Sequence, residues 1–89
     1  MSVTLRYWAA AKEAAGLAEE EFDTSATSTT LSDLLGKARS RHPDDGRLAR
    51  VLSGCAFVVD DEPVGRRPHD SVTLRPGAVV EALPPFAGG

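Results

Sequence analysis

Leu31, Leu34, Leu35 and Ala38 fall at i, i+3, i+4 and i+7, which is one apolar stripe, one helix and one buried face. The remaining apolar residues alternate or come in short runs, so the partner of that face has to be a sheet. Thr30 stands just before the stripe and Asp33 three residues on, the spacing at which a hydroxyl and a carboxylate cap a helix start between them. The helix is therefore expected to begin at Leu31 and to stop before Pro43, with Lys37, Arg39 and Arg41 facing water.

The strands are short. Val3, Leu5 and Tyr7 alternate with Thr4, Arg6 and Trp8, a period of two that gives a first strand with one buried face. Ala9 to Ala15 is dense in alanine and ends at Gly16, which suits a short helix closed by a left-handed residue. Glu19 to Asp23 forms an acidic second strand with Phe22 turned inward, and its charges suit a sheet edge that resists further pairing. After the Ser/Thr run 24–30 and the main helix, Asp44, Asp45 and Gly46 make a turn and Arg47 to Leu52 a short helical piece before Gly54. Ala56 to Val59 reads as a strand, Asp60, Asp61, Glu62 and Pro63 as the turn after it, and Val64 as the start of a short return strand. Val72 to Leu74 precede the turn signal Pro76, Gly77, and Val79 to Leu83 form the last apolar strand. No repeat or linker interrupts this order, so residues 1–89 are expected to form a single α+β domain.

Size and charge narrow the function. A chain of 89 residues has no room for a deep private active site. With 10 Lys and Arg against 13 Asp and Glu the net charge is -3, which argues against binding nucleic acid through phosphate neutralisation and suits a basic protein partner better. Cys55 is the one cysteine, so no internal disulfide can form and no zinc site can be built from cysteine pairs. Residues 1–7 lack the pattern of a signal peptide, and no apolar run approaches membrane-spanning length; a cytoplasmic protein is expected.

Few groups are arranged for chemistry. His42 and His69 each adjoin a proline and have no second ligand or base at a useful spacing, so both are read as surface residues. Asp60, Asp61 and Glu62 lack the ligand spacing of a calcium loop and read as a solvated turn. Cys55 leads into an apolar run and reads as a buried small hydrophobe rather than a nucleophile, and Arg66 and Arg67 as a solvated pair. No metal site, no resident cofactor and no independent catalytic centre is expected.

The last six residues differ from the rest. Pro84 and Pro85 follow the final strand, lack the N–H a sheet needs, and should direct residues 84–89 away as a projecting, flexible tail. Phe86 supplies an apolar anchor and Ala87 a small spacer, while Gly88 and Gly89 have no Cβ and fit a narrow channel. Four extended residues reach at most about 14 Å, enough to thread a carboxylate into a partner's cleft.

With the opening strand, the Thr30-capped helix, the strand Ala56 to Val59 and Gly77 before the last strand, this tail resembles the sulfur carriers of the ubiquitin-like β-grasp family. The similarity is greatest to their molybdopterin-synthase small-subunit (MoaD) branch. Phe86 stands where valine is frequent in that family, and Ala78 where an acidic residue is frequent. The resemblance implies a mixed four- to five-stranded sheet wrapped on the 31–41 helix, with the first and last strands adjacent and parallel. It implies that the Gly89 carboxylate is adenylated with ATP, used in trans by an activating enzyme of the MoeB/ThiF kind, and converted to a thiocarboxylate by a persulfide sulfur donor. Pro84, Pro85, Phe86, Ala87 and Gly88 would then contact the partners, among them a large synthase subunit of the MoaE kind, with molybdopterin as the product. Similar carriers serve thiamin, cysteine or specialised metabolites, and others modify proteins at lysine. A plain β-grasp interaction module is the remaining alternative.

Overall fold

Val3, Leu5 and Tyr7 are 1%, 0% and 2% exposed, so the alternation at the start of the chain does mark a strand with one buried face. The computed structural model describes residues 2–24, 29–43 and 46–85. In chain order its elements are β1 (Ser2–Tyr7), α1 (Ala9–Ala15), β2 (Glu19–Asp23), β3 (Thr29–Thr30), α2 (Leu31–Arg41), α3 (Arg47–Ser53), β4 (Ala56–Val59), β5 (Glu62–Pro63), a 3-10 turn (His69–Ser71), β6 (Thr73–Leu74) and β7 (Val79–Leu83).

Five strands form one mixed sheet in the order β2-β1-β7-β4-β5. β1 and β7 are parallel, with Thr4 opposite Val79 and Tyr7 opposite Ala82, and every other pair is antiparallel. β7 reaches the centre because it can bond on both sides: Val80 and Ala82 are fully buried beneath it, and β1 and β4 flank it. Gly77 makes the approach possible. Its φ of +86° is open to glycine at little cost, and its N–H donates to the Ser2 carbonyl at 2.7 Å, just before β7 begins.

The helix stripe packs where its spacing directs it. Leu31, Leu34, Leu35 and Ala38 are at most 4% exposed, in one core with the β1 residues, Phe22, Phe57 and Val80. The Thr30 side chain accepts from the Asp33 N–H at 3.1 Å and the Asp33 carboxylate accepts from the Thr30 N–H at 3.3 Å, a complete capping box. The two hydrogen bonds to Thr30 hold the Asp33 carboxyl below its usual range. α1 closes on Gly16 at φ +81° and lays Ala11, fully buried, toward α3. The expected sheet, main helix, short first helix and parallel β1–β7 pair are all present.

Three readings change. Glu62 and Pro63 are not turn but strand β5, paired with Val59 and Val58; the turn shrinks to Asp60 and Asp61, at φ 47° and 70°. Two aspartates in the left-handed region make the tight primed turn that matches strand twist, and Pro63 is tolerated because β5 is an edge. Val64 does not start a strand, although its N–H donates to Phe57 and its side chain is buried. Thr29 and Thr30 pair with Leu74 and Thr73 as a separate two-stranded sheet that two-residue segments, having no period, could not announce. Asp44 and Asp45 lie outside the described residues; Gly46, at φ +72°, leads into α3.

Candidate functional site at the end of the last strand

β7 delivers the tail. Held by β1 on one side and β4 on the other, it ends at Leu83 opposite Ala56, and Pro84 and Pro85 follow with no N–H to continue either ladder. Pro84 is half-buried and Pro85 exposed. Phe86, Ala87, Gly88 and Gly89, the rest of the expected site, lie outside the described residues, as does most of the expected projecting tail.

The register shows what surrounds this exit. Thr4, Arg6, Val79, Glu81, Leu83, Ala56 and Val58 share the outer face of the sheet, since directly opposed residues point the same way. Trp8, 48% exposed, sits at the end of β1; its backbone N–H donates to the Ala82 carbonyl at 3.3 Å and its indole Nε1–H to Glu81 Oε1 at 3.2 Å. A tryptophan on a solvent-facing position carries more information than a buried one, and the period-two pattern did place Trp8 on the outward side.

Titratable groups converge on the inner side. Glu20 of β2 projects under the sheet, where Oε1 accepts from the Tyr7 hydroxyl and from His42 Nε2–H, each at 2.6 Å, and Oε2 lies 3.4 Å from Arg41. Burial pushes the Glu20 carboxyl up, but the hydrogen bonds from Tyr7 and His42 outweigh it and hold the carboxyl below its ordinary value. Burial, with the bond to Glu20, pushes the Tyr7 phenol far up, so it remains a proton donor. His42 is thus no free surface residue: it meets a carboxylate 22 residues away in sequence, a distance no local spacing reveals. Arg41 is exposed as expected, yet it is engaged as well. Its guanidinium stacks 4.0 Å over the Phe22 ring and donates to the Glu21 carbonyl at 3.1 Å. The Glu20 oxygens are occupied by these partners, so the cluster ties the end of α2 to β1 and β2 rather than opening toward a substrate.

The other candidates stay structural. Arg67 is not simply solvated, because its guanidinium donates to the Val64 and Pro63 carbonyls at 3.1 and 3.2 Å. Asp60 accepts from the Val79 N–H at 2.9 Å and thereby fastens the β4–β5 turn to the start of β7. Cys55 is half-buried, burial pushes its thiol up to about 11, and a thiol so shifted is a poor nucleophile. His69 sets its ring edge-on against Phe57 at 5.2 Å. Among the described residues no group of three His, Cys, Asp or Glu side chains could hold a metal ion, and no helix is long and apolar enough to cross a membrane.

The sequence profile of the ThiS family matches residues 5–89, which takes in all of the sheet but the start of β1, the main helix and the chain's last six residues. The chain belongs to the ThiS family. Over all 89 residues, and the whole of the relative, it is 34% identical to the molybdopterin synthase sulfur carrier subunit of Chlamydomonas reinhardtii. Among solved structures, it resembles a chain from the complex of subunits 1 and 2 of the molybdopterin-converting factor of Helicobacter pylori, with 27% identity over the whole of this chain and of that one and a TM-score of 0.59. The small archaeal modifier protein 1 of Methanosarcina acetivorans, 18% identical, superposes with a TM-score of 0.78 over 99% of this chain and 96% of that one. That last likeness concerns the fold, and it agrees with the ubiquitin-like β-grasp architecture seen in the sheet order.

Proposed function

We propose that this protein is the sulfur-carrier subunit of a molybdopterin synthase. The 34% identity with the Chlamydomonas reinhardtii carrier subunit over the full length of both chains is the observation that carries the reading. The strand order supports it, since it puts the strand that leads into the tail in the middle of the sheet, paired on both sides.

The reaction follows from carboxylate chemistry. A carboxylate resists nucleophiles because its charge repels them and oxide is a poor leaving group. Attack of the Gly89 carboxylate on the α-phosphate of ATP, in an activating enzyme, forms an acyl adenylate and releases pyrophosphate. A persulfide sulfur then attacks the acyl carbon and AMP departs. Reductive cleavage of the remaining S–S bond by a thiol leaves the Gly89 thiocarboxylate. Pro84, Pro85, Phe86, Ala87 and Gly88 guide that group into the large subunit, for which the Helicobacter pylori complex offers a precedent. Holding the sulfur beside the bound pterin precursor makes its transfer effectively unimolecular. The cytoplasm, where ATP and reduced thiols are plentiful, suits these steps.

The test is the intact mass of the untagged protein after incubation with ATP, a persulfide-generating sulfur source and an activating enzyme. A gain equal to the exchange of one oxygen for one sulfur, localised to Gly89, is the expected result. An unchanged mass beside a converted control carrier overturns the reading, and a lysine-linked adduct in its place redirects it to protein modification.

A further inference from the structure

Trp8 is the chain's single tryptophan, and among the described residues it and Leu17, 36% exposed, are the large apolar side chains left open to water. Its position is held from several directions. The Trp8 carbonyl accepts from Ala11 N–H at 3.0 Å as α1 begins, and its N–H donates to Ala82 of β7. The next residue, Ala9, has a φ of +48°, a left-handed conformation costly for a residue with a Cβ. The strained turn leads the chain out of β1 into α1 at the level of β7's end. Instead of folding into the core, the indole lies on the outer face and donates to Glu81, two residues before Leu83 and three before Pro84.

The two bonds from Trp8 reach successive residues of β7, one through its main chain and one through its side chain. Beyond Ala82, β1 offers no further ladder partner to β7, and Pro84 and Pro85 offer no donors of their own. Trp8 is therefore the last group from the β1 side to fasten the strand before the tail leaves it. Glu81 is half-buried and lies between Arg6 and Val58 in the register, so its backbone is held on both sides while its carboxylate accepts from the Trp8 indole at the surface.

We propose that Trp8 is a positioning residue, whose indole bond to Glu81 straps the root of the tail and fixes the direction from which a partner receives it. The proposal rests on the carrier reading for its functional consequence but not for its structural one. A strapped root is pre-organised, and a loose one has to be ordered when the partner binds, so loss of the strap weakens productive encounter while the chemistry of a fully inserted tail is unchanged.

Three variants separate the possibilities. Trp8→Phe keeps an aromatic ring and removes the donor, Glu81→Leu removes the acceptor, and Glu81→Gln keeps an acceptor oxygen. In the free protein, the backbone amide order parameter of Leu83 is expected to fall in Trp8→Phe and Glu81→Leu and to be retained in Glu81→Gln, with emission of the single tryptophan shifting in Glu81→Leu. In sulfur transfer from the thiocarboxylated protein to the large subunit, KM for the carrier is expected to rise about three- to ten-fold in the first two variants at unchanged kcat, the range that one hydrogen bond accounts for. Glu81→Gln stays near wild type, and the Trp8→Phe, Glu81→Leu double variant is no worse than either single one. An unchanged Leu83 order parameter in both strap-breaking variants overturns the proposal. A KM raised by Trp8→Phe but not by Glu81→Leu also overturns it, because the ring would then be a direct contact. If the wild-type protein takes up no sulfur, the carrier reading fails separately, and the order parameters still decide the strap.

Discussion

The Glu20 carboxylate of β2 accepts a 2.6 Å hydrogen bond from Nε2 of His42, the residue that closes α2, and thereby joins an edge strand to the far end of the main helix. Tyr7 and Arg41 face the same carboxylate, so its ionised form is favoured in the fold and its pKa lies below the ordinary 4.5. Stability from this group is complete above that value and is lost as pH falls through the lower folded one. Glu20→Gln is expected to lower the unfolding midpoint at neutral pH, and the gap to wild type should close below pH 4.5. Thermal melts from pH 3 to 7 check this; curves that stay parallel would show that the ionised form contributes nothing.

Leu34 is 1% exposed beneath the sheet. Its truncation to alanine removes buried methyl groups and leaves space that a rigid sheet cannot fill, at a cost of about 2 to 5 kcal/mol. Urea unfolding should show the midpoint moving down with little change in slope.

At Gly77 a Cβ would meet nothing within 4 Å, so only the φ of +86° opposes a larger residue. Gly77→Ala is expected to cost roughly 1 to 2 kcal/mol through backbone conformation alone. A stability equal to wild type in chemical denaturation would mean that the turn relaxes to another geometry.

Pro84 and Pro85 already end the pairing of β7, and among the described residues the core is built from positions up to Ala82. Deletion of Gly89, or fusion of a tag after it, is therefore expected to leave the unfolding midpoint within about 0.5 kcal/mol of wild type while abolishing sulfur uptake. Intact mass and a thermal melt on the same sample measure both; a deletion variant that still takes up sulfur would place the acceptor elsewhere.

Much of the fold was legible because burial leaves a period. Val3, Leu5 and Tyr7 reported a strand face, Leu31 to Ala38 a helix face, and Thr30 with Asp33 the point where the helix starts. The tail could be singled out because two prolines and two glycines are conformational instructions that act within a few residues. β3 and β6 stayed hidden, since a two-residue strand has no alternation to read. His42 was misread because its partner is in another element.

By itself the sequence determined which faces of the first strand and the main helix are buried, where that helix is capped and that the last strand must stop at Pro84. These follow from side-chain transfer energies and backbone restrictions felt locally. Only the tertiary structure decided that β7 lies between β1 and β4, that Glu20 gathers Tyr7, Arg41 and His42, and that Trp8 reaches Glu81 across 73 residues of chain. A period shows that a face is buried but not what buries it; partners so far apart are chosen by the packing of the whole sheet on one helix, where the cost of closing long loops is shared among all the contacts formed.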